Sequence, residues 1–161
     1  ARVVWEAGAP IVATDGTARP RPGGEMLPSL IRRMHEELPG CLVMADVSTV
    51  VEGIAAERAG ADLVATTLAG YTPWSSRVQG PDLELVSELV RVLRVPVIAE
   101  GRFWRPEDAA EALRRGAHAV VVGTAITNPT AIARRFVTAM QQVVTRPPRD
   151  SVVGRRSPAR G

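Results

Sequence analysis

Pro96-Val97-Ile98-Ala99-Glu100-Gly101-Arg102 is a short apolar run that ends abruptly in a carboxylate, a glycine and an arginine. The apolar residues do not alternate with polar ones. A strand of that kind is buried on both faces, as strands in parallel sheets are. Four other runs share this character: Pro10-Ile11-Val12-Ala13-Thr14, Cys41-Leu42-Val43-Met44-Ala45, Asp62-Leu63-Val64-Ala65-Thr66 and Ala119-Val120-Val121-Val122. Five strands are therefore expected.

The segments between them carry helix punctuation. Arg105-Pro106-Glu107-Asp108 opens a helix with proline and acids in its first turn, and Arg114-Arg115-Gly116 closes it. Thr49-Val50-Val51-Glu52 has the form of a capping box. Asp82 can cap the helix bearing Leu85, Val86, Leu89 and Val90, and Asn128-Pro129 starts the last one, bearing Ile132, Phe136 and Met140. Val3-Val4-Trp5-Glu6-Ala7 reads as a preceding helix. Gly8-Ala9, Gly60-Ala61 and Gly116-Ala117 each end a helix just before a strand, 52 and 56 residues apart. Two units per interval give roughly 27 residues per unit, the size of a βα repeat in a barrel. Strand–helix alternation implies right-handed crossovers and an α/β fold with a parallel sheet, open or closed.

The 161 residues, 45% of them hydrophobic, suffice for one domain with a core. No apolar run approaches the ~18 residues of a bilayer span, and no secretory pattern is visible. With one cysteine, Cys41, an internal disulfide is excluded and a cytoplasmic location is expected. The net charge of +3 lies in the tail, where residues 146–161 hold five arginines and one aspartate. No aromatic residue interleaves with those arginines, so a solubilising, disordered end is expected there rather than a nucleic-acid reader. All 20 basic residues are arginines; the chain contains no lysine.

In parallel α/β folds, chemistry gathers at the C-terminal ends of strands. Those positions are Asp15, Asp46, Thr66-Thr67, Glu100-Gly101-Arg102 and Gly123-Thr124. Asp46 could instead serve the next helix N-terminus, and Asp15 could close a turn with Gly16. Glu100 is the hardest to explain in such a way, because Gly101 follows it directly and no helix starts there. Gly101 and Gly123 would let an anion approach backbone N–H groups, Arg102 could hold it bidentately, and the helix opened by Asn128-Pro129 could face it. The alternative is that both glycines only turn the chain. Tyr71 and Thr72, in the long loop from Leu68 to Pro81, could contact a sugar, and Trp74 could pack locally. His35 and His118 have no expected role, and no metal-ligand spacing is present.

Asp15-Gly16-Thr17-Ala18-Arg19-Pro20-Arg21-Pro22, Met44-Ala45-Asp46-Val47-Ser48-Thr49, Thr66-Thr67-Leu68-Ala69-Gly70-Tyr71-Thr72, Ala99-Glu100-Gly101-Arg102 and Val122-Gly123-Thr124-Ala125-Ile126-Thr127 together resemble the N-acylmannosamine-6-phosphate 2-epimerase family. The resemblance implies a (β/α)8 TIM barrel of the ribulose-phosphate-binding type, with strands 4–8 in residues 1–140 and a disordered Arg/Pro-rich tail at 141–161. It implies interconversion of N-acylmannosamine 6-phosphate and N-acylglucosamine 6-phosphate at C2, by proton removal and return, in sialic acid and amino sugar catabolism. Glu100 and Asp46 match catalytic positions of the family; Gly101, Arg102, Gly123 and Thr124 match positions around the phosphate. The family's base is a lysine on its third strand, which would precede Ala1, and Pro10 and Gly16 replace a usual Asp and Ala. The chain alone is therefore expected to be inactive. The partner expected is a small sugar phosphate, with no cofactor, metal, nucleic acid or membrane; a homodimer is compatible with this reading. The competing reading is a non-catalytic or vestigial sugar-phosphate-binding fragment.

Overall fold

In the computed structural model, which describes residues 1–144, the five apolar runs form strands β1 (Ile11–Asp15), β2 (Leu42–Asp46), β3 (Leu63–Ala65), β4 (Val97–Glu100) and β5 (Ala119–Val121). All neighbouring pairs are parallel, and the order is β1-β2-β3-β4-β5. The order never reverses, unlike that of a doubly wound sheet, so the strands trace an arc of a (β/α) barrel. The strands of the first two units reach one residue further than the apolar runs, which makes Asp15 and Asp46 their last residues.

The helices are α1 (Arg2–Glu6), α2 (Leu27–Glu37), α3 (Val50–Arg58), α4 (Leu83–Val92), α5 (Pro106–Arg114), α6 (Thr124–Thr127) and α7 (Pro129–Val144). The glycine–alanine echo is one device used three times. Gly8, Gly60 and Gly116 adopt φ of 95°, 95° and 94°. Their N–H groups bond to Trp5, Glu57 and Leu113 O, and the next alanine bonds to Val4, Ala56 and Ala112 O. This left-handed cap satisfies the last carbonyls and turns the chain into the strand. Helix α4 lacks such a glycine. There the Glu57 carboxylate accepts from Arg94 and Val95 N instead.

Alternation along each strand sorts the residues by face. Val12, Val43, Ala45, Val64 and Val97 pack with Ile31, Met34, Leu38, Ala56, Leu85 and Leu89 from α2, its C-cap, α3 and α4. Fully buried residues such as Ile31, Leu38 and Leu89 each contribute roughly 1.5–3 kcal/mol. Ala99 and Val120 continue this layer against Val86, Ala109 and Ala112. The opposite face carries Met44, Leu63, Ala65 and Ile98, which cluster with no helical residue. It is the inner wall of the arc.

Two boundaries differ from expectation. Residues 124–127 form the separate turn α6 before α7, because Pro129 lacks an N–H and begins a new helix, with Asn128 Oδ1 accepting from Ala131 N. Helix α7 also runs past Met140 to Val144, since Gln141, Gln142 and Val143 are all compatible with a helix. The Arg/Pro-rich tail expected beyond it lies outside the described residues. Among the described residues no helix is long and apolar enough to cross a membrane.

Candidate active site

The register sets a row of side chains across the inner wall. Asp15 is directly opposite Asp46, Asp46 opposite Ala65, and Ala65 opposite Ile98; Glu100, two residues beyond Ile98, is opposite Val121. Period-two alternation therefore turns Asp15, Asp46 and Glu100 to the same face, at the C-terminal rim.

These carboxylates have different surroundings. Asp46 is pushed up to about 6, chiefly by burial; the Thr67 hydroxyl bond opposes this, and the negative charges of Glu100 and Asp15 add to it. Thr67 Oγ1 donates to Asp46 Oδ1 at 2.7 Å. For Asp15, burial alone would raise the pKa, but donation from Thr17 Oγ1 and N and the charges of Arg19 and Arg21 hold it below the usual range. Thr17 N and Oγ1 reach Asp15 Oδ1 at 2.7 and 2.6 Å, and Arg19 Nη1 reaches Oδ2 at 3.4 Å. Asp15 thus closes its own turn, the structural alternative considered for it, while its charge still reaches Asp46.

A cleft of about 310 Å³ opens beside Glu100, lined by Thr67, Tyr71, Gly101, Arg102, Gly123 and Thr124 among others. Gly101 has φ 103° with its backbone against Thr67 O, where a Cβ would come within 3.2 Å of that oxygen. Arg102 adopts φ 61°, the one non-glycine with positive φ among the described residues. Its Nη1 donates to Val78 O at 2.6 Å, and its guanidinium lies 5.8 Å from the centre of the Tyr71 ring. Nε and Nη2 are buried without a hydrogen-bond partner. A strained backbone and two orphaned N–H groups on one guanidinium are the arrangement an oxyanion would satisfy bidentately.

Six predicted residues thus meet at one cleft: Glu100, Gly101, Arg102, Tyr71, Gly123 and Thr124. The helix end beside Gly123 belongs to α6, not to the helix opened by Asn128-Pro129. Thr72 is elsewhere. It is buried at 2% exposure, its hydroxyl against Ser48 Oγ at 2.8 Å. Tyr71 is the exposed member of the pair, so the proposed sugar contact from this loop falls on Tyr71 alone.

Sequence reasoning assigned no role to Thr67, and saw Glu52 only as half of a capping box. Thr49 does accept from Glu52 N at 3.3 Å. The Glu52 carboxylate, however, accepts from Ala18 N, Ser48 N, Ser48 Oγ and Trp74 Nε1 at 2.7–3.0 Å. It ties the loops after β1, β2 and β3 together. Trp74, expected to pack locally, is one of its donors. The separation of Ala18 and Trp74 from Glu52 in sequence hid the cluster. Among the described residues no group of three or more His, Cys, Asp or Glu side chains is placed to hold a metal.

Residues 3–142 match the model of the family described as "Putative N-acetylmannosamine-6-phosphate epimerase". A relative of that name from Caldanaerobacter subterraneus is 55% identical over 139 residues, covering 86% of this chain and 59% of its own length. One from Clostridium perfringens is 48% identical over 126 residues, covering 78% and 56%. The solved N-acetylmannosamine-6-phosphate 2-epimerase of Clostridium perfringens superposes with a TM-score of 0.80 at 45% identity, covering 84% of this chain and 58% of that one. The chain thus spans under three fifths of the length of these relatives.

Proposed function

We propose that this chain, which belongs to the N-acetylmannosamine-6-phosphate epimerase family, supplies the acid and phosphate-binding part of a site that epimerises C2 of an N-acylhexosamine 6-phosphate. The observation that carries the reading is Arg102, whose Nε and Nη2 are buried without partners and which lines one cleft with Glu100, Gly101, Gly123 and Thr124, two strands from Asp46. The 6-phosphate takes these N–H groups. The open-chain sugar then extends along the inner wall toward Glu100 and Asp46.

Epimerisation requires removal of the C2 proton next to the C1 aldehyde and its return to the other face. The carbonyl oxygen gains negative charge as the C2–H bond breaks, so a neutral donor beside it lowers the barrier. Asp46, whose carboxyl is pushed up to about 6 chiefly by burial, suits that role, and Glu100, on the same face of the rim, assists it. Family resemblance assigns the base to a lysine, and these 161 residues contain none. The chain by itself is therefore a sugar-phosphate binder that does not turn over, in a longer cytoplasmic enzyme of sialic acid and amino sugar catabolism. The homodimer compatible with the sequence is read by sedimentation.

Isotope exchange tests this. The purified chain is expected to bind N-acetylmannosamine 6-phosphate but not N-acetylmannosamine, with perturbation of the Arg102 Nε–H resonance, and to incorporate no solvent deuterium at C2. Equal binding of the neutral sugar would sink the phosphate assignment. Deuterium uptake by the chain alone would overturn its dependence on a base from elsewhere.

A further inference from the structure

Two consecutive threonines follow β3, and each grips a neighbouring strand. Thr66 Oγ1 donates to Glu100 O at 2.9 Å and accepts from Glu100 N at 3.0 Å. Thr67 lines the cleft and donates to Asp46 Oδ1 at 2.7 Å. One side chain sets the β4 backbone at Glu100; the other sets a carboxylate on β2. Threonine's branched Cβ restricts χ1, so both grips come from stiff side chains.

Asp46 has no hydrogen-bond partner at Oδ2 among the described residues, and that oxygen is not sealed from solvent. The charged groups facing Asp46 are Asp15 on β1 and Glu100 on β4, and the Asp15 charge is itself engaged by Arg19 and Arg21. No arginine reaches Asp46 as an ion-pair partner among the described residues. The negative neighbours favour the neutral acid. A neutral carboxyl has one carbonyl oxygen and one hydroxyl, and its usefulness depends on which is which.

We propose that Thr67 is a positioning residue for Asp46. Its hydroxyl occupies Oδ1 as a donor, which makes Oδ1 the carbonyl oxygen of the neutral acid and leaves the proton on Oδ2, the oxygen open to solvent on the inner wall. The proposal rests on the sugar-phosphate reading of the cleft and deepens it. The atom met by Asp46 is then an oxygen that gains charge, the sugar carbonyl, and not the phosphate, which Arg102 holds. The Oδ2 proton remains bonded to Asp46 and strengthens its hydrogen bond as charge develops, so no other group has to accept or return it.

The test follows the Cγ resonances of labelled aspartate through a pH titration of the ligand-free chain. Loss of the Thr67 hydroxyl bond in T67V removes stabilisation of the charged form, so the Asp46 midpoint is expected to rise by roughly half to one pH unit. T67S restores it, and Asp15 stays in place in both. An unmoved midpoint in T67V, or an equal rise in T67S, overturns the proposal. Isotope-edited infrared spectra of the unsubstituted chain below the midpoint supply a reading that needs no variant. A hydrogen-bonded Asp46 C=O band is expected, and a free carbonyl band overturns the assignment. Because no sugar phosphate is present, these outcomes judge Thr67 alone. Failure of the unsubstituted chain to bind sugar phosphate would instead sink the functional reading.

Discussion

The Trp74 indole N–H donates to Glu52 Oε1 at 2.8 Å, across 22 residues of sequence. Glu52 is only 6% exposed. Burial would raise its pKa, but donation from Ser48, Ala18 and Trp74 outweighs burial and holds it below its usual value. A folded pKa below the unfolded one stabilises the fold at neutral pH, and this stability is lost as pH falls through the folded value. E52Q keeps the volume but sets an amide NH2 against N–H and O–H donors. We expect E52Q to lose about 2–4 kcal/mol at neutral pH, and less on acidification. Urea denaturation measured down a pH series checks both; equal losses at all pH values would show that Glu52 acts by shape alone.

Arg102 is expected to trade stability for binding. Its φ of 61° costs a non-glycine residue roughly 1–2 kcal/mol. R102G relieves that strain but loses the Val78 bond and the Tyr71 contact, which are together worth about as much. R102G should therefore change the urea midpoint little while lowering phosphate affinity at least tenfold. G70A should weaken binding as well, because a Cβ at Gly70 would come within 2.6–2.8 Å of the Arg102 guanidinium. Calorimetric titration with N-acetylmannosamine 6-phosphate separates the effects, and unchanged affinity in R102G would remove Arg102 from the site.

Asp46 carries the opposite linkage from Glu52. Its folded value of about 6 lies above the ordinary aspartate value of 3.8, so the folded chain binds the extra proton between those values. Stability falls as pH rises through that window and stays lower above it. D46N removes the charge while its amide oxygen can still accept from Thr67. We expect D46N to stabilise the chain near pH 8 by an amount on the order of 1–2 kcal/mol, read as a raised melting temperature, and to have little effect near pH 4. A gain of equal size at both pH values would point to packing rather than charge.

The strands and the rim residues were legible because both depend on local pattern. Val97–Glu100 reads as a doubly buried strand from four letters, and Gly60-Ala61 and Gly116-Ala117 mark helix ends by chirality alone. Asp46 and Glu100 followed from their places just after apolar runs. Thr72 misled because loop position does not tell which of two adjacent side chains is buried; Ser48, 24 residues away, decides that. Glu52 and Thr67 work through partners 21 to 34 residues distant, and no local period encodes such a meeting. The α6 turn escaped because Asn128-Pro129 is a strong start signal that hid the shorter helix before it.

Gly53 gives a test in which two effects of similar size compete. It lies inside α3, where replacing glycine by alanine ordinarily stabilises by about 1 kcal/mol. Here an added Cβ would collide with Leu89 Cδ2 and come within 3.5 Å of Leu93 Cδ1. The Leu89 methyl is the free end of a side chain, which could yield on a surface. Leu89 is 0% exposed and packed in the main cluster with Ala56, Val64 and Leu85, so it has nowhere to move without shifting its neighbours. Overpacking of that kind costs typically about 1–3 kcal/mol, which exceeds or cancels the helical gain. G53A is therefore expected to be neutral to destabilising by up to about 2 kcal/mol in urea. Because Gly53 follows Glu52, displacement of α3 should also shift the Trp74 Nε1–H resonance. A clear gain in stability with that resonance unmoved would show that α3 and α4 have room between them that the structure does not contain.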